Sequence, residues 1–230
     1  MQIANSGSDR ITGGCRGPPR VVSDTVLGMK YCGDPAFDGV ISGQIQKIRQ
    51  DVRAARQAGR LVIYASTPIS PRGGGIEKVN VEIAASVKTR LEKVFGGVVW
   101  VLDPGAYQMA NVGDKAPGGS EYMVMWTRVL AGDDGAGRDF DMVHFTGPAD
   151  MRAFFGCGAD DVTGCLARWL TTRAASDAFL RYYAMRASAA YSAGAHDEWN
   201  IFVKINRRRT LGDQIAMFFD GRPSRPVRWR

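Results

Sequence analysis

The sequence predicts a doubly wound α/β domain, three layers deep around a mainly parallel sheet, and three observations predict it. Short apolar runs rich in β-branched residues alternate with longer stretches whose apolar side chains recur at helical spacing. The first complete unit reads strand, loop, helix, strand, an order that makes the two strands parallel through a right-handed crossover. Each strand then exits into Gly, Pro, hydroxyl or carboxylate residues, as expected at the binding rim of an open parallel sheet.

The bulk properties fit this class. The 230 residues suit one large domain, and 45% hydrophobic residues support a sizeable core. Residues 1–35 are rich in Gly, Pro, Ser and Arg and read as an extended arm or a flap lying on the domain. The α/β domain spans 36–221, with a helical insertion at about 151–190, and a basic tail covers 222–230.

Taken in order, the first helix runs near Phe37 to Gln57, where Ile41, Ile45, Ile48 and Val52 share a face and Gly59 fits a stop. Arg60 to Ala65 is a buried strand, and Ser66 to Gly75 cannot be regular structure. A second helix, near Glu77 to Phe95, carries Ile83, Val87, Leu91 and Val94 on one face. Val98 to Leu102 is the second strand, stopped by Asp103-Pro104-Gly105. Tyr122 to Leu130 reads as a helix, and Phe140 to Phe145 as the third strand. Residues 151–190 read as mostly helical, His196 to Arg209 as a further helix, and Gln214 to Phe219 as the last strand before Asp220-Gly221. The sheet expected from this order is of the flavodoxin-like kind.

Several function classes lose support. No run approaches the ~20 apolar residues that a membrane-crossing helix needs. Met1 to Gly17 lacks the apolar stretch of a secretory signal and reads as cytoplasmic, although leaderless secretion would leave no such mark. Cys15, Cys32, Cys157 and Cys165 form no CxxC pair and only two histidines are present, so no metal site and no cofactor is expected. The cysteines read as free thiols in a reducing compartment. The formal charge of +7, concentrated in Arg207 to Arg209 and in Arg222, Arg225, Arg228 and Arg230, makes anionic partners plausible. No DNA- or RNA-binding motif accompanies it, so nucleic acid is not the expected partner.

Two segments could carry chemistry. In Ser66 to Gly75, the contiguous Gly73, Gly74 and Gly75 let backbone approach a ligand, and the following helix start adds its positive end. Arg72 could grip a phosphate or carboxylate, with Ser66, Thr67 and Ser70 adding hydroxyls. This reads as an anion cradle, without the ending of a Walker A loop. A mobile surface loop would have the same composition. The second segment, Ser192 to Asn200, gathers His196, Asp197, Glu198, Trp199 and Asn200 at a helix start. Glu198 could be nucleophile or base, His196 or Asp197 could move a proton, and Trp199 could stack on a planar base. The same acidic residues could equally be helix caps. Glycosidic chemistry wants a second carboxylate, for which Asp150 and Asp103 are the candidates. His144, inside a strand, reads as a satisfied core or edge residue.

The order of these features resembles the nucleoside 2-deoxyribosyltransferase-like families. The resemblance rests on Val62-Ile-Tyr-Ala-Ser-Thr-Pro68, Val101-Leu-Asp-Pro104, Gly147-Pro-Ala-Asp150 and the small-residue run Ser192-Ala-Gly-Ala-His-Asp-Glu198. It covers roughly residues 60–220, and its motifs are short. It departs from the family where residues 151–190 separate the Asp loop from the glutamate helix. The resemblance implies cleavage or transfer at a ribosyl N-glycosidic bond through a glutamyl intermediate, with sites often shared between subunits of a homo-oligomer. The cradle would favour a nucleotide, and NAD carries the same bond. Two other readings stay open: a non-catalytic nucleotide-binding or sensing domain, and a bacterial effector or interaction protein using the basic tail and arm.

Overall fold

The computed structural model describes Cys15 and residues 20–169 and 176–224. In chain order the elements are β1 (Val21–Asp24), β2 (Lys30–Gly33), α1 (Asp38–Gln57), β3 (Leu61–Ser66), α2 (Glu77–Phe95), β4 (Val99–Leu102) and α3 (Gly119–Ala131). They continue with β5 (Met142–Phe145), α4 (Pro148–Phe155), α5 (Val162–Trp169), α6 (Ser176–Arg181), α7 (Ala193–Asn206), β6 (Ala216–Phe219) and β7 (Arg222–Pro223). A π-helical turn, Tyr182–Arg186, continues α6.

The main sheet has the order β4-β3-β5-β6-β7, and every pair is parallel except β6 with β7. Alternation along the strands divides the core in two. Val62, Tyr64, Leu102, Val143 and Phe145 face a layer built from α1, α3 and α7. Ile63, Ala65, Val99 and Val101 face a layer built from α2, α4, α5 and the π turn. Burial on both faces explains why these strands read as unbroken apolar runs. After β4 the chain crosses over β3 to reach β5, so the sheet reverses its winding between β3 and β5. The crevice at such a reversal, beyond the carboxyl ends of the strands, is where open α/β sheets bind ligands.

Four features were not legible beforehand. Within the segment read as an arm, β1 and β2 pair into an antiparallel hairpin, and Met29 and Tyr31 are buried in the α1/α3/α7 layer. Asp220 and Gly221 both take positive φ, 53° and 76°, and turn β6 back into β7 as an Asp-Gly hairpin. The outer edge of β4 is closed by an i,i+4 pair on α2: Lys88 Nζ donates to the Val101 carbonyl (2.8 Å), and Glu92 Oε1 accepts from the Val101 N–H (3.2 Å). The cysteines correct the free-thiol expectation. Cys15 is bonded to Cys32 and Cys157 to Cys165, and no cysteine is free. Spacing could not reveal this, because pairing depends on which Cα atoms the fold brings within bridging distance, here 5.5 and 5.6 Å.

The arginine cluster after α7 is partly spent within the chain. Arg208 donates to the Val26 carbonyl (2.9 Å), and Arg209 pairs with Asp213 (3.3 Å). Arg225, Arg228 and Arg230 lie outside the described residues. Among the described residues, no helix is long and apolar enough to cross a membrane, and no three metal-binding side chains gather.

Candidate functional site

Glu198 lies at the reversal point of the sheet. Ser192 caps α7, its Oγ accepting from the Ala195 N–H (3.3 Å), so Glu198 is not a cap but sits in the second turn. The helix packs over the sheet face that carries Tyr64 and Ser66, alternate residues of β3 that point the same way. Tyr64 donates to Glu198 Oε1 at 2.7 Å, and Ser66 Oγ donates to Oε2 at 2.5 Å. Each carboxylate oxygen therefore holds one hydroxyl, and the residue is only 8% exposed.

Burial pushes the Glu198 carboxyl up to about 7. The hydroxyls of Ser66 and Tyr64 pull the other way, and neighbouring Asp197 adds to the rise. Tyr64 is itself held well above its ordinary value, first by burial and then by the Glu198 charge, so it stays a donor at any working pH. Tyr31, brought in by the β1–β2 hairpin, is raised by burial and by the charge of Asp197, with a smaller push from Glu198. Its hydroxyl lies 3.3 Å from Thr127 Oγ1 of α3. Asp197 and Glu198 thus share one buried, electronegative neighbourhood.

Thr67, the residue after β3, meets Thr146, the residue after β5: their hydroxyls are 2.7 Å apart and both side chains are buried. This bond ties the two strand exits at the rim. His196 is half-buried, its Nε2 lies 2.7 Å from the Ala190 carbonyl, and burial lowers its pKa.

Other candidates stand elsewhere. Asp150 is buried on the opposite face of the sheet, in the first turn of α4. It accepts from the Gly147 N–H (2.9 Å), contacts His144 Nε2 (2.9 Å) and pairs with Arg90 of α2. His144 is accordingly a satisfied core residue. Asp220 adds to that helix start by accepting from the Ala149 N–H (2.8 Å). Asp103 caps a short turn through the Gly105 N–H (2.7 Å) and lines a cleft of about 500 Å³ beside Trp100 and Tyr107. Burial raises its pKa. A second cleft, about 400 Å³, lies between the β1–β2 hairpin, α1 and α3. Glu198 lines neither.

Trp199 does not face a ligand surface; it is 2% exposed, with its ring 4.8 Å from that of Phe145. Asn200 is buried, and its Oδ1 has no hydrogen-bond donor among the described residues. In the glycine loop, Ser70 and Arg72 are exposed, and Arg72 forms no ion pair among the described residues. Gly73 and Gly74 have φ of 92° and 112°. A Cβ at Gly74 would come within 2.9 Å of the Ala178 carbonyl oxygen, and one at Gly75 within 2.6 Å of the Tyr182 ring. These glycines are needed for close packing against α6 and the π turn, in the layer opposite α7.

Sequence reading missed Tyr64, Tyr31 and Thr146. One signal existed for Tyr64: in the apolar run Val62 to Ser66 it is the polar-tipped residue two before a serine, so both tips share a face. The chain matches no family model, no curated protein and no solved structure.

Proposed function

We propose that the Glu198 site acts on the N-glycosidic bond of a nucleotide, as a hydrolase or a transferase. One observation carries this reading: a buried carboxylate seated between the hydroxyls of Tyr64 and Ser66, at the carboxyl end of β3 where the sheet reverses. The strand order β4-β3-β5-β6 supports a flavodoxin-like sheet, whose ligands bind at that point. In the proposed reaction a Glu198 oxygen bonds to C1′ of the sugar. The C1′–N bond breaks, and its electron pair leaves with the base, which takes up a proton. Water or an acceptor base then attacks C1′ and frees the carboxylate. Tyr64 and Ser66 would orient the carboxylate. The departing base would take its proton from solvent, and His196, kept neutral by burial, would accept the proton released by the attacking water or acceptor. The two disulfides support an oxidising compartment in place of the cytoplasm.

The test is incubation with a panel of nucleoside monophosphates and NAD, followed by chromatography for free base. The native chain should release base from at least one of them, and Glu198→Gln should release it ~10³-fold more slowly or worse. A native chain that frees no base from any panel member sinks the reading.

A second reading, a non-catalytic nucleotide-binding domain, is favoured by the protein hydroxyl that each Glu198 oxygen already holds. It predicts nucleotide binding by calorimetry without turnover, unchanged in kind by Glu198→Gln.

A further inference from the structure

A cleft of about 500 Å³ lies between the last turns of α1 and the edge strand β4, and Glu198 does not line it. On the α1 side its wall is Ala54, Ala55 and Ala58, whose methyl side chains leave the space open. The β4 side presents the half-buried indole of Trp100. The charges along the cleft divide by sign. β3 and β4 run parallel, so Arg60, just before β3, stands at the amino end of the strands, and Asp103, just after β4, stands at their carboxyl end. Asp51 of α1 joins Asp103 there. Its Oδ2 accepts from the Tyr107 hydroxyl (2.8 Å), and the Tyr107 pKa is raised by burial, then by Asp51, then by the charge of Asp103. Lys88 is engaged by Glu92 (2.6 Å) and the Val101 carbonyl (2.8 Å), its ammonium 5.4 Å from the centre of the Trp100 ring. Arg60 is exposed and forms no ion pair among the described residues. Asp103 is the residue that points to a ligand. It is only 6% exposed, yet it lines the cleft. Its Oδ1 accepts from the Gly105 N–H, whereas its Oδ2 accepts no hydrogen bond among the described residues. A carboxylate so desolvated and half satisfied is costly to ionise, and burial accordingly raises its pKa.

We propose that this cleft binds a small zwitterion with a guanidinium at one end and a carboxylate at the other, of which free arginine is the simplest. The guanidinium sits on Asp103 and Asp51 against the Trp100 indole, and the carboxylate meets Arg60. A guanidinium fits the acidic end because its fork of N–H donors pairs with a carboxylate and its flat face stacks on an aromatic ring. An ammonium offers neither. The cleft volume is in the ordinary range for small-molecule sites. The site is separate from the proposed reaction: base release at Glu198 neither requires it nor tests it.

Titration calorimetry of the full chain tests this. L-Arginine should bind with a dissociation constant below ~1 mM. Citrulline, which has nearly the same shape without the charge, should bind about tenfold more weakly or worse. Asp103→Asn keeps an acceptor for the Gly105 N–H and removes the charge, so it should fold and bind arginine about tenfold more weakly. Asp51→Asn, which keeps an acceptor for Tyr107, should weaken binding in the same direction. Agmatine lacks the carboxylate and should bind less tightly than arginine, and Arg60→Ala should erase that difference. No binding by the native chain up to about 10 mM arginine would overturn the proposal even if no variant folds. Citrulline binding as tightly as arginine, or arginine binding unchanged in Asp103→Asn, would overturn the acidic end. Agmatine and arginine binding equally to the native chain would overturn the role of Arg60.

Discussion

Tyr64 on β3 and Glu198 on α7 are 134 residues apart in the chain, and the phenol donates a 2.7 Å hydrogen bond to the carboxylate. The bond fixes α7 on the sheet at the point where the winding reverses. It also places a carboxylate, with its pKa raised to about 7, on the strand end that leads into the glycine loop.

That raised pKa makes stability depend on pH in a definite direction. In the unfolded chain the carboxyl releases its proton near 4.5, whereas in the folded chain it holds it to about 7. Between these values the folded state binds more protons, so stability falls as pH rises through the window and levels off above it. The total is roughly 3 kcal/mol. Thermal melting from pH 4.5 to 8 should show this fall in the native chain and not in Glu198→Gln, which should be the more stable of the two at pH 8. Parallel pH profiles for the two chains would disprove the assignment.

If Glu198 is the nucleophile, base release should follow its ionised form. kcat/KM should climb about tenfold per pH unit below 7 and flatten above it. A profile flat from pH 5 to 8 would mean that this carboxylate is not the attacking group.

Asp150 belongs to the fold, not to the Glu198 pocket. Asp150→Ala leaves His144 and the Gly147 N–H without their partner and removes an ion pair with Arg90, whose side chain is 38% exposed. Allowing for that exposure, the cost should be about 2–4 kcal/mol. Denaturant titration measures it, and a loss under ~0.5 kcal/mol would contradict the assigned role.

The two disulfides make a chemical prediction. Alkylation of the unfolded, unreduced protein should label no cysteine, and after reduction it should label all four. Cys157→Ser with Cys165→Ser should cost about 2–3 kcal/mol, the loop-closure entropy of a short cross-link. Labelling of all four before reduction would restore the free-thiol reading.

The Lys88–Glu92 pair closes the outer edge of β4. Replacing both by Ala should bare the Val101 N–H and C=O and allow edge-to-edge association. Light scattering over a concentration series should show larger species for the double variant than for the native chain, and equal sizes would rule out an edge-guarding role.

The alternation of helices and strands was legible because it is written in local periodicity. Ile41, Ile45, Ile48 and Val52 lie at helical spacing and are buried in α1, and the apolar run from Leu61 became β3. Glu198 was legible as a candidate because carboxylates, an imidazole and an amide cluster there in sequence. Its partners were not. Tyr64 looked like one more core residue, and Tyr31 lay in a segment whose composition suggested no regular structure. Trp199 looked like a stacking platform, yet the path of α7 turned it against Phe145.

By itself the sequence determined the helices and the four strands β3, β4, β5 and β6, and that these four run parallel, since backbone preference and apolar spacing act over a few residues. Only the tertiary structure decided which hydroxyls meet Glu198, which cysteines bond, and that Gly74 and Gly75 serve close packing against α6 and a tyrosine-bearing turn. These depend on contacts between residues far apart in the chain. Burial there sets the energy of a charge or a hydrogen bond, and nothing local encodes burial at a distance.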